Sequence, residues 1–178
     1  QGRLRKVHGG ARPGMAPAQL VPQTEGPFAL RMADHAEAKR RIAARAATLF
    51  EAGDSVFIDT GTTTLALAHA LVEAPSLVII TNSWRIASIV STNAEHRVFL
   101  LGGACNPDAG ETLGPLVLEQ IKRFHARHVF LTIGAMDTRT IMDFDAQEAE
   151  IAQAMLARAA DVTVLADSLQ PDRRGSFV

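Results

Sequence analysis

An open, mostly parallel α/β sheet with helices on both faces is the fold this chain predicts, and three observations predict it. Five short runs are apolar almost without a break, as strands buried on both faces must be: Val56-Phe57-Ile58, Leu77 to Ile80, Val98 to Leu101, Val129 to Ile133 and Val162 to Leu165. Stretches with helical spacing of apolar residues separate them. Each run ends in small or polar residues: Asp59-Thr60-Gly61, Thr81-Asn82-Ser83, Gly102-Gly103, Gly134-Ala135 and Asp167-Ser168. In open α/β sheets ligands bind beyond the carboxyl ends of the strands, so five trimmed strand ends read as one pocket rim. Short strand-to-helix turns favour Gly and Ser for their own reasons, which accounts for part of the pattern.

Taken in order, residues 1–27 are rich in Gly, Pro and Gln and read as a linker or loosely docked arm. A first long helix is expected from Ala33, with Asp34 and Glu37 at capping-box spacing and Glu37 facing Arg41 one turn on. Ile42, Ala43, Ala46, Ala47, Leu49 and Phe50 form its apolar face, and Gly53 is its expected stop. After the strand at Ser55, a helix runs from Leu65 to Leu71, and further helices are expected over Trp84–Ser91, Leu116–Phe124 and Glu148–Ala159. Pro115 suits the first turn of the third of these. The stretch from Gly102 to Pro115, with Asn106-Pro107 and Gly110, reads as a long loop.

Composition narrows the function. The 178 residues suit one domain with a proper core, and no apolar run approaches the roughly 20 residues that cross a bilayer, so no membrane partner is expected. The basic start, Arg3, Arg5 and Lys6, has no apolar stretch behind it and is not a signal peptide. A single cysteine, Cys105, cannot form an internal disulfide and fits a cytoplasmic protein. A net charge of −1 leaves no electrostatic footprint for nucleic acid, and the absence of Tyr argues against base-stacking.

The turn Asp59-Thr60-Gly61-Thr62-Thr63-Thr64 carries the chemistry. A strand, a Gly-centred turn and a helix opening on Thr offer free backbone N–H groups and a dipole that favours negative charge. Gly61 would let a ligand close to the backbone, and the threonines add hydroxyl donors. The expected guest is a phosphate or a carboxylate; the competing role for Thr62 or Thr63 is a helix cap that binds nothing. Lys39 is one of only three lysines, with Lys6 and Lys122, and an exposed solubilising role competes with a functional one.

Other chemistries lack their residues. No Gly-Lys-Ser/Thr follows Gly61, no G-x-G-x-x-G opens a helix, and no G-x-S-x-G elbow exists. His125 and His128 lack partners at metal-ligand spacing, so no metal site and no cofactor is expected. A sugar-phosphate isomerase is the enzyme alternative: Asp59, Asp137, Glu148 and Asp167 supply carboxylates and Lys39 a cation. Nothing in the sequence specifies a lid or a paired acid and base.

The same residues, in the same order, carry a resemblance. Val7-His8-Gly9-Gly10-Ala11, Arg31, Glu37 to Ala43, Phe57 to Thr64, Thr81-Asn82-Ser83 and Leu100 to Gly103 resemble the DeoR family of bacterial transcriptional regulators. Gly114-Pro115, Ile133-Gly134-Ala135, Gln147-Glu148-Ala149 and Leu165 to Ser168 continue it across nearly the whole chain. The part resembled is the effector-sensing C-terminal domain, whose fold is similar to ribose-5-phosphate isomerase. The resemblance implies that residues 1–27 are the arm of an absent N-terminal helix-turn-helix domain and residues 28–178 the sensor domain. It implies a phosphorylated sugar or similar metabolite as effector, operator DNA as a partner only through the absent domain, and a homo-oligomer. By the match, residues Asp59 to Thr64 would hold the phosphate with Lys39 adding charge, and Asn82, Ser83, Gly102, Gly103, Gly134, Glu148 and Asp167 would line the rest. Two cations usual in the family are missing: a lysine after Asp167-Ser168, where Arg173 or Arg174 could compensate, and one after Glu148.

Overall fold

The computed structural model describes residues 4–7, 10–13, 26–136, 141–143 and 145–166. Its centre is a five-stranded parallel sheet built from β3 (Ser55–Ile58), β4 (Val78–Thr81), β5 (Arg97–Leu100), β8 (Ala126–Thr132) and β11 (Ala159–Leu165). The spatial order is β11-β8-β3-β4-β5, so the chain winds outward one way from β3 through β4 to β5, then returns beside β3 with β8. That reversal makes the β3/β8 junction the topological switch point, where open α/β sheets part to admit ligands.

Two layers of helix cover the sheet, and strand periodicity decides which side chains face each. Val56 and Ile58 point into the layer of α1 (Phe28–Ala33), α2 (Ala36–Ala47), α3 (Thr62–Leu71) and α4 (Trp84–Val90). Phe57, between them, points the other way, into the layer of α5 (Pro115–Ile121) and α6 (Ala146–Leu156), with Val117, Ile121, Ile151 and Met155. All three strand residues are fully buried, and each such side chain stabilises the fold by about 1.5–3 kcal/mol. Helix α3 lies between α2 and α4 and is buried over most of its circumference, which is why its sequence shows little amphipathic pattern.

The strands agree with expectation to within a residue or three at each end, whereas two other regions differ. The expected first helix is divided. Helix α1 ends at Ala33 and α2 starts at Ala36, with His35 between them in the left-handed region at φ 53°. Asp34 and Glu37 therefore form no capping box: the α2 cap position falls on His35, which makes no side-chain cap bond. Glu37 pairs with Arg40 at 2.6 Å rather than with Arg41. Gly53 lies beyond the helix end at Ala47 and, at φ 88°, supplies a left-handed turn before β3.

The loop expected between Gly102 and Pro115 contains an antiparallel hairpin, β6 (Ala104–Asn106) and β7 (Glu111–Leu113). Strands of three residues are too short to show a period. Two further small hairpins pair β1 (Leu4–Val7) with β2 (Gly10–Pro13), inside the stretch expected to be an arm, and β9 (Ala135–Met136) with β10 (Ile141–Met142). Among the described residues no helix is long and apolar enough to cross a membrane.

Candidate functional site

The turn from β3 into α3 sits at the switch point. Asp59 donates its N–H to Phe130 O of β8 at 3.1 Å, and Thr132 of β8 donates its hydroxyl to Thr60 O at 3.2 Å. Gly61 is extended, at φ 173°, a conformation open to any residue. Its necessity is steric instead: a Cβ at 61 would overlap the Thr132 side chain, coming within 2.9 Å of its Cβ. Gly61 is thus required by the approach of β8, where the sequence suggested the approach of a ligand.

The three threonines divide their work. Thr64 donates its hydroxyl to Gly61 O at 3.0 Å, closing the first turn of α3. Thr62 and Thr63 are also buried, at 9% and 3% exposure, yet no hydrogen bond among the described residues engages either hydroxyl. The backbone N–H groups of Thr62, Thr63 and Thr64 are likewise without an acceptor among the described residues, as the first turn of a helix leaves them. Three amides and two hydroxyls, at the positive end of a buried ten-residue helix, form a donor set with no acceptor among the described residues.

Beside this donor set lies a group of buried acids. Asp59 is 6% exposed and Glu111 fully buried, and Glu148, from the first turn of α6, donates a hydrogen bond to Glu111. Burial raises the Asp59 carboxyl well above the usual range, and the charges of Glu111 and Asp143 add to it against one N–H from Thr60. Glu111 is raised by burial too, opposed by the Glu148 acid, by the neighbouring Thr60 hydroxyl and by hydrogen bonds from Asn106 and Asn82. Glu148 is pushed up to about 10, first by burial and then by the Glu111 and Asp143 charges. At neutral pH Glu148 is therefore a neutral acid and a hydrogen-bond donor. Among the described residues, no three His, Cys, Asp or Glu side chains converge as metal ligands would.

Asn82 joins the two halves. Its Oδ1 accepts from the Thr60 hydroxyl at 3.2 Å, and its Nδ2 donates to Glu111 Oε2 at 3.2 Å and to Thr112 O at 3.0 Å. Asn82 is fully buried, and its amide is occupied by protein partners. Ser83 accepts from Ile86 N to cap α4 and donates to Gly110 O at 3.1 Å. Gly102 is bracketed by Gln120, which accepts its N–H at 3.1 Å and donates to its carbonyl at 2.7 Å. A Cβ at Gly103 would lie 2.5 Å from Leu113 O and 2.7 Å from Val117 Cγ2, so this glycine lets β7 and α5 close together. Gly134 is buried just beyond β8, one residue ahead of β9.

Lys39 is not an exposed lysine. It is 6% exposed, and its ammonium donates to the carbonyls of Arg31 and of Asp34, the latter at 2.8 Å, at the break between α1 and α2. A cation there satisfies carbonyls that the end of α1 leaves open. Asp167, Ser168, Arg173, Arg174 and Asp137 lie outside the described residues. Glu111, Asn106 and Thr132 are site residues that the sequence alone does not single out. The signal for Glu111 was a lone carboxylate between Gly110 and Thr112-Leu113, in a stretch with no cation from Gly102 to Glu119.

Comparison with known proteins decides the family. Residues 34–177 match the DeoR C-terminal sensor domain. The chain belongs to that family. The transcriptional repressor CsqR of Escherichia coli is 32% identical over 168 residues, covering 94% of this chain and 62% of the repressor. The glycerol-3-phosphate regulon repressor of Escherichia coli is 30% identical, over 94% of this chain and 64% of its own length. The chain therefore spans about three-fifths of these DeoR-family relatives.

Solved structures share the fold. Ribose 5-phosphate isomerase A from Neisseria gonorrhoeae superposes with a TM-score of 0.56 at 12% identity, covering 78% of this chain and 54% of the isomerase. The probable sor operon regulator of Shigella flexneri gives 0.52 at 15% identity, covering 78% and 77%. The sensor domain thus has the ribose-5-phosphate isomerase-like α/β architecture expected from its sequence.

Proposed function

We propose that this DeoR-family sensor domain binds a small phosphorylated sugar or related metabolite in the turn between β3 and α3, and serves a repressor of carbohydrate genes. One observation carries the reading: the amides of Thr62, Thr63 and Thr64 and the hydroxyls of Thr62 and Thr63 form a donor set without acceptors among the described residues, at the sheet's switch point. A phosphate fits such donors, since it brings several acceptor oxygens to the positive end of a helix. Asp59 and Glu148 are the acids suited to sugar hydroxyls, with Gly134 leaving room beside them and Asn82, Ser83, Gly102 and Gly103 forming the frame. Asp167 remains a proposed contact on the strength of the family match. Lys39, whose ammonium also holds the α1 break, remains a proposed source of positive charge for the phosphate. The relatives' names, a glycerol-3-phosphate regulon repressor and a lactose phosphotransferase system repressor, support a phosphorylated carbon source as signal. Operator DNA would be met through a helix-turn-helix domain joined ahead of residue 1, in a homo-oligomer whose symmetry matches a repeated operator.

A thermal-shift series with glycerol 3-phosphate, ribose 5-phosphate and their unphosphorylated parents tests this reading. Stabilisation by a phosphorylated member alone is expected, rising with the logarithm of its concentration. Equal response to the parents would remove the phosphate from the proposal. A second reading, a sugar-phosphate isomerase, is favoured by the neutral Glu148 acid beside Asp59 and Glu111. Steady conversion of a stabilising sugar phosphate would establish it.

A further inference from the structure

We propose that the β6–β7 hairpin is a relay carrying the state of the effector turn to helix α1, and that α1 is the element it switches. The proposal rests on the effector reading above and adds to it the path by which a bound anion would be felt elsewhere.

A continuous series of contacts joins the two places. Thr60, in the turn, donates to Asn82 Oδ1 at 3.2 Å, and its hydroxyl lies beside the Glu111 carboxyl of β7. Asn82 grips the hairpin through Glu111 and Thr112, and Asn106 of β6 donates to Glu111 Oε1 at 3.0 Å. At the hairpin's tip, Gly110 O accepts from Trp84 N at 3.1 Å and from the Ser83 hydroxyl. The Arg85 side chain lies flat on Gly110, where a Cβ would meet its Cγ and Cδ at 2.6 Å. Arg85 donates to Asp108 O at 3.1 Å and stacks on the Phe28 ring, 5.0 Å from its centroid. Asp108 in turn accepts the Phe28 N–H at 3.1 Å. Phe28 is the first residue of α1 and is 2% exposed.

Contiguity alone does not transmit; a two-state element must stand at the end of it. Helix α1 has the properties of one. It is six residues long, well under the roughly 12 an isolated helix needs in water, so it forms only while docked. Leu30 and Met32 are 64% and 44% exposed, so Phe28 is the one buried side chain of α1 itself, with the Lys39 ammonium holding the Arg31 carbonyl near its other end. The left-handed His35 separates it from α2. The Arg85 Nε atom beside the Phe28 ring is buried with no hydrogen-bond partner among the described residues, so the junction is incompletely satisfied as it stands. An occupied turn orders Thr60, Asn82 and Glu111, seats the hairpin and holds α1 down. An empty turn lets α1 fray, and α1 follows directly on the stretch read as the arm toward the DNA-binding domain.

Hydrogen–deuterium exchange on the intact chain, read in peptides over residues 60–65 and 28–33, tests the relay in two arms. Without ligand, Thr60→Val and Glu111→Gln, each checked for folding by circular dichroism, should speed exchange over 28–33 by about fivefold, the low end of ordinary allosteric coupling. Unchanged exchange there in both folded variants overturns the relay, whatever binds the turn. With inorganic phosphate as probe, the parent should slow at both peptides, and Arg85→Ala should keep the first protection and lose the second. Protection of residues 60–65 alone in the parent also overturns the relay and leaves the anion reading standing. No protection at either peptide overturns the anion reading, and the first arm then decides whether the relay exists.

Discussion

Strand β3 ends in an aspartate at each side, and the two aspartates live under opposite rules. Asp54, just before the strand, is buried, which works to raise its carboxyl. The Glu51 N–H, Arg127 at 2.8 Å and His128 at 3.2 Å outweigh that, and hold it below the usual range. Asp59, just after the strand, is buried as deeply but has Glu111 and Asp143 for neighbours and one N–H from Thr60, so its carboxyl is raised. The amino-terminal edge of the sheet is compensated; the carboxyl edge is not. Carboxyls raised without compensation at the strand ends, beside amides with no acceptor among the described residues, fit the edge at which the effector is proposed to bind.

The comparison can be broken in several ways. The largest effect should come from pH. A carboxyl whose proton affinity is raised by folding contributes stability that is fully present below its unfolded value, 4.5 for a glutamate, and drains as pH climbs toward about 10. Between pH 6 and 8 the Glu148 proton alone should cost on the order of 2–3 kcal/mol, read as a falling urea midpoint with unchanged slope. A flat midpoint across that range would show the carboxyl edge to be as well compensated as the other. Asp54, lowered on folding, works in the opposite sense: its contribution is complete above its usual value, 3.8, and fades only as pH falls below it.

Replacing Asp54 by Ala should follow in size, at about 2 kcal/mol of stability. Breaking a buried ion pair costs more than that, but Arg127 is half exposed and free to rehydrate. Gly61→Val should cost a similar 1–3 kcal/mol through the Thr132 overlap, so it reports on folding before it reports on any ligand. Thr63→Ala is the cleaner probe of the turn: phosphate affinity should fall about fivefold by calorimetry, a loss of about 1 kcal/mol, while the urea midpoint stays put. Smallest of all, Glu148→Gln should change stability at pH 7 by under about 1 kcal/mol, because the amide replaces an acid that is already neutral. Its use is to flatten the pH dependence, and a slope left intact would reassign that proton to Asp59 or Glu111.

The sheet was readable because its signal is repeated and long-range in kind: apolar strands, helical spacing and trimmed strand ends all recur. The turn at Thr62 was readable as a place, but its internal division of labour was not. Which threonine caps and which are left over depends on Gly61 O and Thr132, a residue about 70 positions away. Lys39 illustrates the same limit. Its sequence context is an ordinary polar helix, and nothing local announces that the helix breaks at His35 and needs a cation at the break. Glu111 was hidden because its hairpin has strands of three residues and its partners, Asn82 and Glu148, come from two other elements.

The position of β3 at the middle of the sheet has a consequence for synthesis. Its neighbour on one side arrives within about 20 residues, but the wall that holds Gly61 and Thr60 in place is β8, and Ser55 bonds the Arg127 N–H across 72 residues of chain. On the ribosome, a nascent chain has the lip of the turn long before it has the floor beneath. The proposed recognition of a small molecule at this turn must wait until β8 has emerged and threaded in beside β3, so the turn stays unfinished for most of the chain's own translation.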